Sequence, residues 1–249
     1  MQTNKYKHYL DMHCHYDQIT IQDIKQKFTN EPLIAIAQST NIEDYRKYLE
    51  IKAENIPNLY FGYGLYPDNV LKKDFEKIER DLEEIDFSEA LVIGEIGMDK
   101  KITENPFNIS LQEKLFRKQI EIAATLKKPI VVHTRGAVKE SLEILKSYPE
   151  VKTILHWFTA EKEEIEEALS RGYFLTERFA KPKIENIEKH LDQIFIETDL
   201  PVWQNGKETT IESIKESYEV FSKKYNMPLE KVKEKIINNF LKLFPTIDI

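Results

Sequence analysis

Short apolar runs alternate with longer, charge-rich amphipathic segments along most of the chain. Eight runs are rich in Val, Ile, Leu, Phe and Tyr, and several are nearly continuous, as parallel strands buried on both faces require. They are Tyr9–His13, Leu33–Gln38, Leu59–Gly64, Ala90–Glu95, Pro129–His133, Thr153–His156, Tyr173–Thr176 and Ile194–Glu197. We therefore predict eight strands separated by helices.

The segments between these runs space their apolar residues as helices do. In Ser110–Leu126, the pair Ser110 and Glu113 predicts a capping box at the first turn. Similar spacing predicts helices over Glu161–Leu169, Ile211–Tyr225 and Leu229–Phe244.

Eight β-α units in 249 residues are typical of the α/β class and, within it, of the (β/α)8 TIM barrel. Doubly wound sheets also alternate strands and helices, but they usually have fewer strands. No segment rich in Pro, Gly or Ser marks a linker, so we predict a single domain over residues 1–249. In a barrel, residues that follow different strands would meet at one mouth.

The composition indicates a soluble globular protein, with 32% charged and 41% hydrophobic residues. No window approaches the roughly eighteen consecutive apolar residues of a membrane helix, and the polar N-terminus lacks the apolar core of a signal peptide. The single cysteine, Cys14, excludes an internal disulfide. We therefore expect a cytoplasmic protein that does not contact membranes.

The net charge of −7 argues against a general nucleic-acid coat protein, whose affinity comes from neutralising phosphates. It does not exclude a nuclease, because bound divalent metals can supply positive charge locally.

Four histidines and two carboxylates lie at or just after the ends of predicted strands. They are His13, His15, Glu95, His133, His156 and Asp199. Six ligands exceed the number that one catalytic zinc takes, and they suit two ions sharing a bridging carboxylate. The two ions would be divalent metals, and mixed nitrogen and oxygen ligands suit Zn, Mn or weakly held Mg.

The first of these strands carries its candidate ligands on one face. His13 and His15 are two residues apart, so their imidazoles project to the same side. Cys14 faces the opposite side, and we interpret it as a core residue. We expect Asp11 to orient a ligand histidine or a turn rather than to bind metal.

Other roles stay open for several residues. His133 and His156 could each be a buried histidine bonded to the backbone. Arg135 suits either bidentate phosphate binding or a structural ion pair. Trp157 suits either base stacking or core packing, and Asp99 is either a turn residue or part of the site.

Together, the motifs resemble those of the TatD-family metal-dependent hydrolases, within the amidohydrolase-like superfamily. The matching pieces are Asp11-x-His13-x-His15, Gly94–Asp99, His133–Ala137, His156–Ala160 and Glu197–Pro201, in family order over nearly the whole chain. The segment Asn239–Phe244 also resembles the family's closing helix.

The resemblance implies a role for each matched position. One ion would be held by His13, His15, Glu95 and Asp199. A second ion would be held by Glu95, His133 and His156, with Glu95 as the bridge. Asp199 would also orient or deprotonate the attacking water, so Asp199 and Glu95 are the expected catalytic residues. Family members are typically 3′–5′ DNA exonucleases, some also active on RNA, so the implied partner is a nucleic-acid substrate.

The loop after the third strand departs from the family's G-x-H-P-H pattern and reads Gly64-Leu65-Tyr66-Pro67-Asp68. The first histidine of that pattern is expected to contact substrate phosphate, so Tyr66 is the candidate contact here. Arg135 and Trp157 are the other expected substrate-binding residues. Asp68 would repel a phosphate, and we expect these changes to shift substrate preference rather than abolish catalysis.

Three functional hypotheses follow from the sequence. The leading one is a two-metal phosphodiesterase, a 3′–5′ deoxyribonuclease using a metal-activated water. The second is an amidohydrolase-like enzyme acting on a small-molecule ester or amide, such as a lactonase or deaminase. A deaminase would show a His-Glu pair where this chain has His156-Trp157, and this difference argues against a deaminase. The third is a metal-binding subunit of a complex that acts on nucleic acid, for example in defence, with an unidentified protein partner.

Overall fold

A computed structural model of the protein describes residues 5–177, 189–204 and 206–249. Eight parallel strands form one sheet whose strand order follows the sequence. The strands are β1 (Tyr9–Cys14), β2 (Leu33–Gln38), β3 (Leu59–Tyr63), β4 (Val92–Gly97), β5 (Ile130–His133), β6 (Thr153–Leu155), β7 (Phe174–Glu177) and β8 (Ile194–Ile196). Each overlaps a strand predicted from an apolar run.

Helices alternate with the strands. They are α1 (Ile21–Asn30), α2 (Ile42–Lys52), α3 (Asn69–Lys72), α4 (Phe75–Glu84), α5 (Pro106–Leu126), α6 (Val138–Leu145), α7 (Lys162–Ser170), α8 (Ser213–Lys224) and α9 (Leu229–Leu243). Short 3-10 turns span Lys5–Lys7, Phe87–Glu89 and Leu191–Gln193, and Trp203–Gln204 pairs with Lys207–Glu208 as a small antiparallel ribbon. This order of elements confirms the (β/α)8 TIM-barrel fold class.

The predicted start of the longest helix is wrong by about one turn. Helix α5 begins at Pro106, and Ser110 lies inside it rather than at its N-cap. The cap is Asn105, whose side chain accepts a hydrogen bond from the amide of Phe107 at 3.0 Å. Proline suits the first helical position because its missing N–H would have no helical partner there. The pair Asn105-Pro106 therefore outcompetes the Ser110–Glu113 signal.

The chain divides into two compact units, here called the first and second units. The first contains Met1–Ala37, Asn55–Tyr60 and Leu175–Ile249. The second contains Gln38–Glu54 and Phe61–Phe174. The assignment of residues 1–249 to a single domain stays a prediction.

In the first unit, β1 lies between β2 and β8. The Tyr218 hydroxyl of α8 donates to the carbonyl of Leu10 at 3.2 Å and accepts from its amide at 3.0 Å. From α9, the buried Asn239 side chain donates to the carbonyls of Leu191 and Ile194 at 2.7 and 2.8 Å. Buried polar side chains thus fix the starts of β1 and β8 against these helices.

In the second unit, α5 fixes the loops that follow β3 and β4 through two buried glutamines. The Gln119 side chain accepts from the amide of Leu65 at 2.8 Å and donates to its carbonyl at 3.0 Å. Gln112 makes the same reciprocal pair with Asp99, at 2.9 and 3.0 Å. The two glutamines are seven residues apart, about two helical turns, so they lie on the same face of α5.

No helix in the described parts of the chain is both long and apolar enough to cross a membrane.

Candidate metal centre

Three of the six predicted ligands converge in the first unit: His13, His15 and Asp199. The Nε2 atoms of the two histidines are 3.1 Å apart, and each lies 3.4 Å from Oδ1 of Asp199. Bonds of about 2.0–2.1 Å to a tetrahedral zinc place neighbouring ligand atoms about 3.3 Å apart. The three atoms therefore occupy three corners of a tetrahedron of the size that a divalent cation requires.

Two backbone hydrogen bonds between β1 and the segment that follows β8 place this group. The amide of Asp199 donates to the carbonyl of His13 near the end of β1 at 2.9 Å, and the amide of His15 donates to the carbonyl of Leu200 at 2.8 Å. Asp199 has a φ of +52°, a left-handed conformation that Asp tolerates better than most residues. His13 is fully buried, and Cys14 between the two ligands is also fully buried, as predicted for a core residue.

Asp11 acts on the backbone of this region rather than as a member of the ligand group. Its carboxylate accepts from the hydroxyl and the amide of Thr198, at 2.6 and 3.0 Å. Burial raises the pKa of Asp11 to about 7, although the bonds from Thr198 work against that rise. These contacts tie β1 to the segment that carries Asp199. That segment also contains Glu197, a fully buried carboxylate to which the sequence motif assigned no separate role.

The other three predicted ligands converge in the second unit: Glu95, His133 and His156. Oε1 of Glu95 lies 3.0 Å from Nδ1 of His133 and 3.4 Å from Nε2 of His156. Glu95 belongs to β4, His133 ends β5, and His156 follows β6, so three adjacent strands each supply one ligand. Glu95 and His156 are buried, at 3% and 2% exposure.

Gly97 allows β4 and β5 to approach each other at this group. Its φ of +133° is unfavourable for residues with side chains, and a Cβ there would lie 2.1 Å from the carbonyl oxygen of His133. The amide of Met98 donates to that same carbonyl at 3.0 Å. The second glycine of the Gly94–Asp99 motif, Gly97, is therefore required by this close approach.

Carboxylates flank the His133 ring on both sides. Nδ1 faces Glu95, while Nε2 lies 3.2 Å from Oδ2 of Asp99. Burial lowers the pKa of His133, but hydrogen bonds to Asp99 and Glu95 outweigh it and raise the pKa to about 9. This environment favours a positive charge at the ring, which either a proton or a bound cation can supply.

Asp99 lies beside the candidate ligand His133 and also caps the turn that follows Asp99 in the chain. It is fully buried, and its Oδ2 accepts from the Arg135 Nε at 2.9 Å and from the Tyr66 hydroxyl at 2.7 Å. Its Oδ1 accepts from the amide of Lys101 at 2.8 Å. Burial raises the pKa of Asp99, but bonds from His133, Tyr66 and the Lys101 amide prevail and lower it to about 2.

The three candidate substrate-binding residues, Arg135, Trp157 and Tyr66, differ in how far their side chains are exposed to solvent. The side chain of Arg135 is 57% exposed while its Nε is anchored on Asp99. Trp157 is 42% exposed, and its ring centroid lies 6.4 Å from that of His156. The Tyr66 hydroxyl is instead directed at Asp99 and His133, and burial raises the pKa of this phenol above its usual range. Asp68, expected to repel phosphate, forms an ion pair with Lys72.

A family model described as TatD related DNase matches residues 10–245. The chain belongs to this family. One relative is the uncharacterized metal-dependent hydrolase MJ1582 of Methanocaldococcus jannaschii, 28% identical over 251 residues that cover 95% of this chain and 96% of the relative. Another is the uncharacterized metal-dependent hydrolase YcfH of Escherichia coli K12, 27% identical over 258 residues that cover 94% and 95%. The protein is therefore a TatD-family metal-dependent hydrolase.

A solved TatD-family structure supports the fold. The TatD homolog YjjV of Escherichia coli superposes with a TM-score of 0.78 at 21% identity, covering 94% of this chain and 97% of YjjV.

The donor sets fit the metal ions that such a hydrolase requires. In each unit, two imidazole nitrogens and one carboxylate oxygen face one another at distances compatible with binding a single cation. The expectations that all six side chains share one mouth and that Glu95 bridges two ions stay predictions.

Proposed function

We propose that this TatD-family protein is a two-metal phosphodiesterase that hydrolyses DNA from the 3′ end. The observation that carries the proposal is the pair of groups His13, His15, Asp199 and Glu95, His133, His156, each with the donors for one divalent ion. A bound divalent cation lowers the pKa of a coordinated water and offsets phosphate charge. Two histidines in each group favour Zn or Mn over Mg.

The carboxylates of Asp199 and Glu95 would have different roles, one in proton transfer as well as metal binding and the other in metal binding. Asp199 lies 3.4 Å from both imidazoles of its group, so it can hold the ion through Oδ1 and accept the proton of the attacking water. Glu95 contacts both histidines of the second-unit group through one oxygen, Oε1, which suits a ligand that fixes an ion between two rings. These two carboxylates are the proposed catalytic residues.

Arg135 and Trp157 are the proposed contacts to the nucleic acid. Arg135 presents an exposed guanidinium whose Nε is held by Asp99, so the group is already oriented for a phosphate. Trp157 adopts a φ of +41°, which is strained for a bulky residue, and keeps a large ring exposed beside the ligand His156. Strained residues of this kind cluster at functional sites, and base stacking on an exposed aromatic is tolerant of sequence.

The test is a time course with single-stranded DNA labelled at its 5′ end. The proposal predicts a ladder shortening from the 3′ end with Mn, Zn or Mg, no products in chelator, and full recovery when metal is restored. Parallel reactions with labelled RNA and with DNA labelled at the 3′ end establish sugar preference and polarity. Intact DNA in every metal, together with rapid hydrolysis of a lactone or amide, would replace this proposal with the small-molecule alternative.

The cytoplasmic location stays a prediction.

A further inference from the structure

In the second unit, the Tyr66 hydroxyl lies between the carboxylate of Asp99 and the imidazole of His133. It is 2.7 Å from Asp99 Oδ2 and 2.9 Å from His133 Nε2. Building on the function proposed above, we infer that Tyr66 is a positioning residue that fixes the metal-binding tautomer of His133. It does not serve as the phosphate contact implied by the family's histidine at this position.

The assignment of protons follows from the donors and acceptors present. An ionised Asp99 can only accept, so the single phenolic proton of Tyr66 points to Asp99. The phenolic oxygen is then left to accept, and His133 supplies the donor through Nε2–H, which also faces Asp99 Oδ2 at 3.2 Å. With that proton kept on Nε2, Nδ1, which lies 3.0 Å from Glu95 Oε1, is the nitrogen whose proton a bound cation would replace. A metal ligand must be an unprotonated nitrogen, so this tautomer makes Nδ1 the ligand atom.

The backbone holds Tyr66 in place for this task. Its amide donates to the carbonyl of Thr40 at 2.8 Å, and its carbonyl accepts from the side chain of Asn69 at 2.9 Å. The preceding Leu65 is fixed by the reciprocal pair with Gln119. The Tyr66 and His133 rings meet edge to face with centroids 4.8 Å apart, which further restricts the imidazole. The hydroxyl therefore reaches Asp99 and His133 from a rigid support.

The hydrogen bonds of the Tyr66 hydroxyl distinguish a role in positioning His133 from a role in binding substrate. A phosphate could accept from the Tyr66 hydroxyl only if the bond of 2.7 Å to Asp99 were broken, because the phenol has a single proton to donate. Removing the hydroxyl should consequently weaken metal binding at the second-unit group, while a lost phosphate contact would raise only the KM for DNA. Outer hydrogen-bond partners of metal-binding histidines typically contribute about 10–100-fold to metal affinity.

The test compares Tyr66→Phe with Tyr63→Phe, a matched control. Tyr63 is a buried tyrosine of the same unit whose hydroxyl has no hydrogen-bond partner among the residues that the structure describes. Both changes are made in a His15→Ala background, so that zinc binding reports on the second-unit group. Competition with a chromophoric chelator should show zinc affinity about 10–100-fold weaker in Tyr66→Phe and unchanged in Tyr63→Phe.

A long-range proton–nitrogen NMR spectrum of the zinc-loaded protein provides a second readout. It should show His133 protonated at Nε2, with the chemical shift of that proton changed in Tyr66→Phe, where Asp99 Oδ2 at 3.2 Å is the remaining acceptor. Equal zinc affinity in Tyr66→Phe and its parent, with only KM raised, would overturn the inference and leave the proposed function standing. Failure of the wild-type protein to bind zinc, Mn or Mg would overturn both. If Tyr66→Phe does not fold, a wild-type spectrum without a proton on Nε2 of His133 would refute the inference.

Discussion

The change Gln112→Leu tests whether α5 holds the loop that carries Asp99. The Gln112 side chain is fully buried and satisfies both the amide and the carbonyl of Asp99, at 2.9 and 3.0 Å. Leucine has a similar size, so the substitution removes these two bonds without opening a large cavity. A loss of stability would therefore report on the hydrogen bonds and not on packing.

The expected loss of unfolding free energy follows from the two backbone groups of Asp99 that lose their hydrogen-bond partner. Each buried group left unsatisfied costs about 1–3 kcal/mol, so the pair costs about 2–6 kcal/mol. Burial of the added apolar surface recovers about 1–2 kcal/mol. We expect the free energy of unfolding to fall by about 3 kcal/mol, which a domain with about 5–15 kcal/mol of stability survives in folded form.

Urea unfolding followed by far-ultraviolet circular dichroism measures this change. With a slope of about 2–3 kcal/mol per molar urea, the midpoint should fall by about 1 M. The control is Gln26→Leu, the same substitution at an exposed position of α1, which should leave the midpoint nearly unchanged. A Gln112→Leu midpoint equal to that of the wild type would refute the assigned role of this side chain.

Three other substitutions test the first-unit ligand group, the exposed aromatic and the β1 anchor. Asp199→Asn should lower kcat on DNA by about 10²–10⁴-fold, since the amide cannot accept the water's proton; a kcat within twofold of wild type would remove Asp199 from that role. Trp157→Ala should raise the KM for single-stranded DNA by about 5–150-fold, corresponding to about 1–3 kcal/mol of stacking, with an unchanged melting temperature because the ring is 42% exposed. Tyr218→Phe should lower the free energy of unfolding by about 1–3 kcal/mol because the hydroxyl bonds both backbone groups of Leu10. An unchanged urea midpoint would contradict this last expectation.

Local sequence patterns were sufficient to predict the strands. Buried parallel strands need continuous apolar runs. Such runs can be recognised in the sequence without knowing which strands lie beside them in the sheet. The start of α5 was missed because two competing cap signals lie four residues apart, at Pro106 and Ser110. Which of them begins the helix depends on how the chain enters it, a feature that a periodicity argument does not contain.

The candidate ligand residues could be selected for the same local reason, since each follows or ends an apolar run. Asp99 and Tyr66 were harder because their partners are distant in the chain: His133 is 34 residues from Asp99 and 67 from Tyr66. Whether a tyrosine hydroxyl points to substrate or to a ligand histidine depends on the folded arrangement of β3, β4 and β5. The sequence signals were the position of Asp99 at the end of the Gly94–Asp99 motif and that of Tyr66 in the loop that departs from G-x-H-P-H.

Counting bound zinc per chain tests the central claim most directly. Elemental analysis after equilibration in buffered zinc would compare the wild type with His15→Ala and His133→Ala, each of which removes one ligand from one group. The account predicts two ions in the wild type and one in each variant, because each group holds its own ion. No zinc in the wild type, or two ions still bound in both variants, would contradict the claim that these two groups are the metal centre.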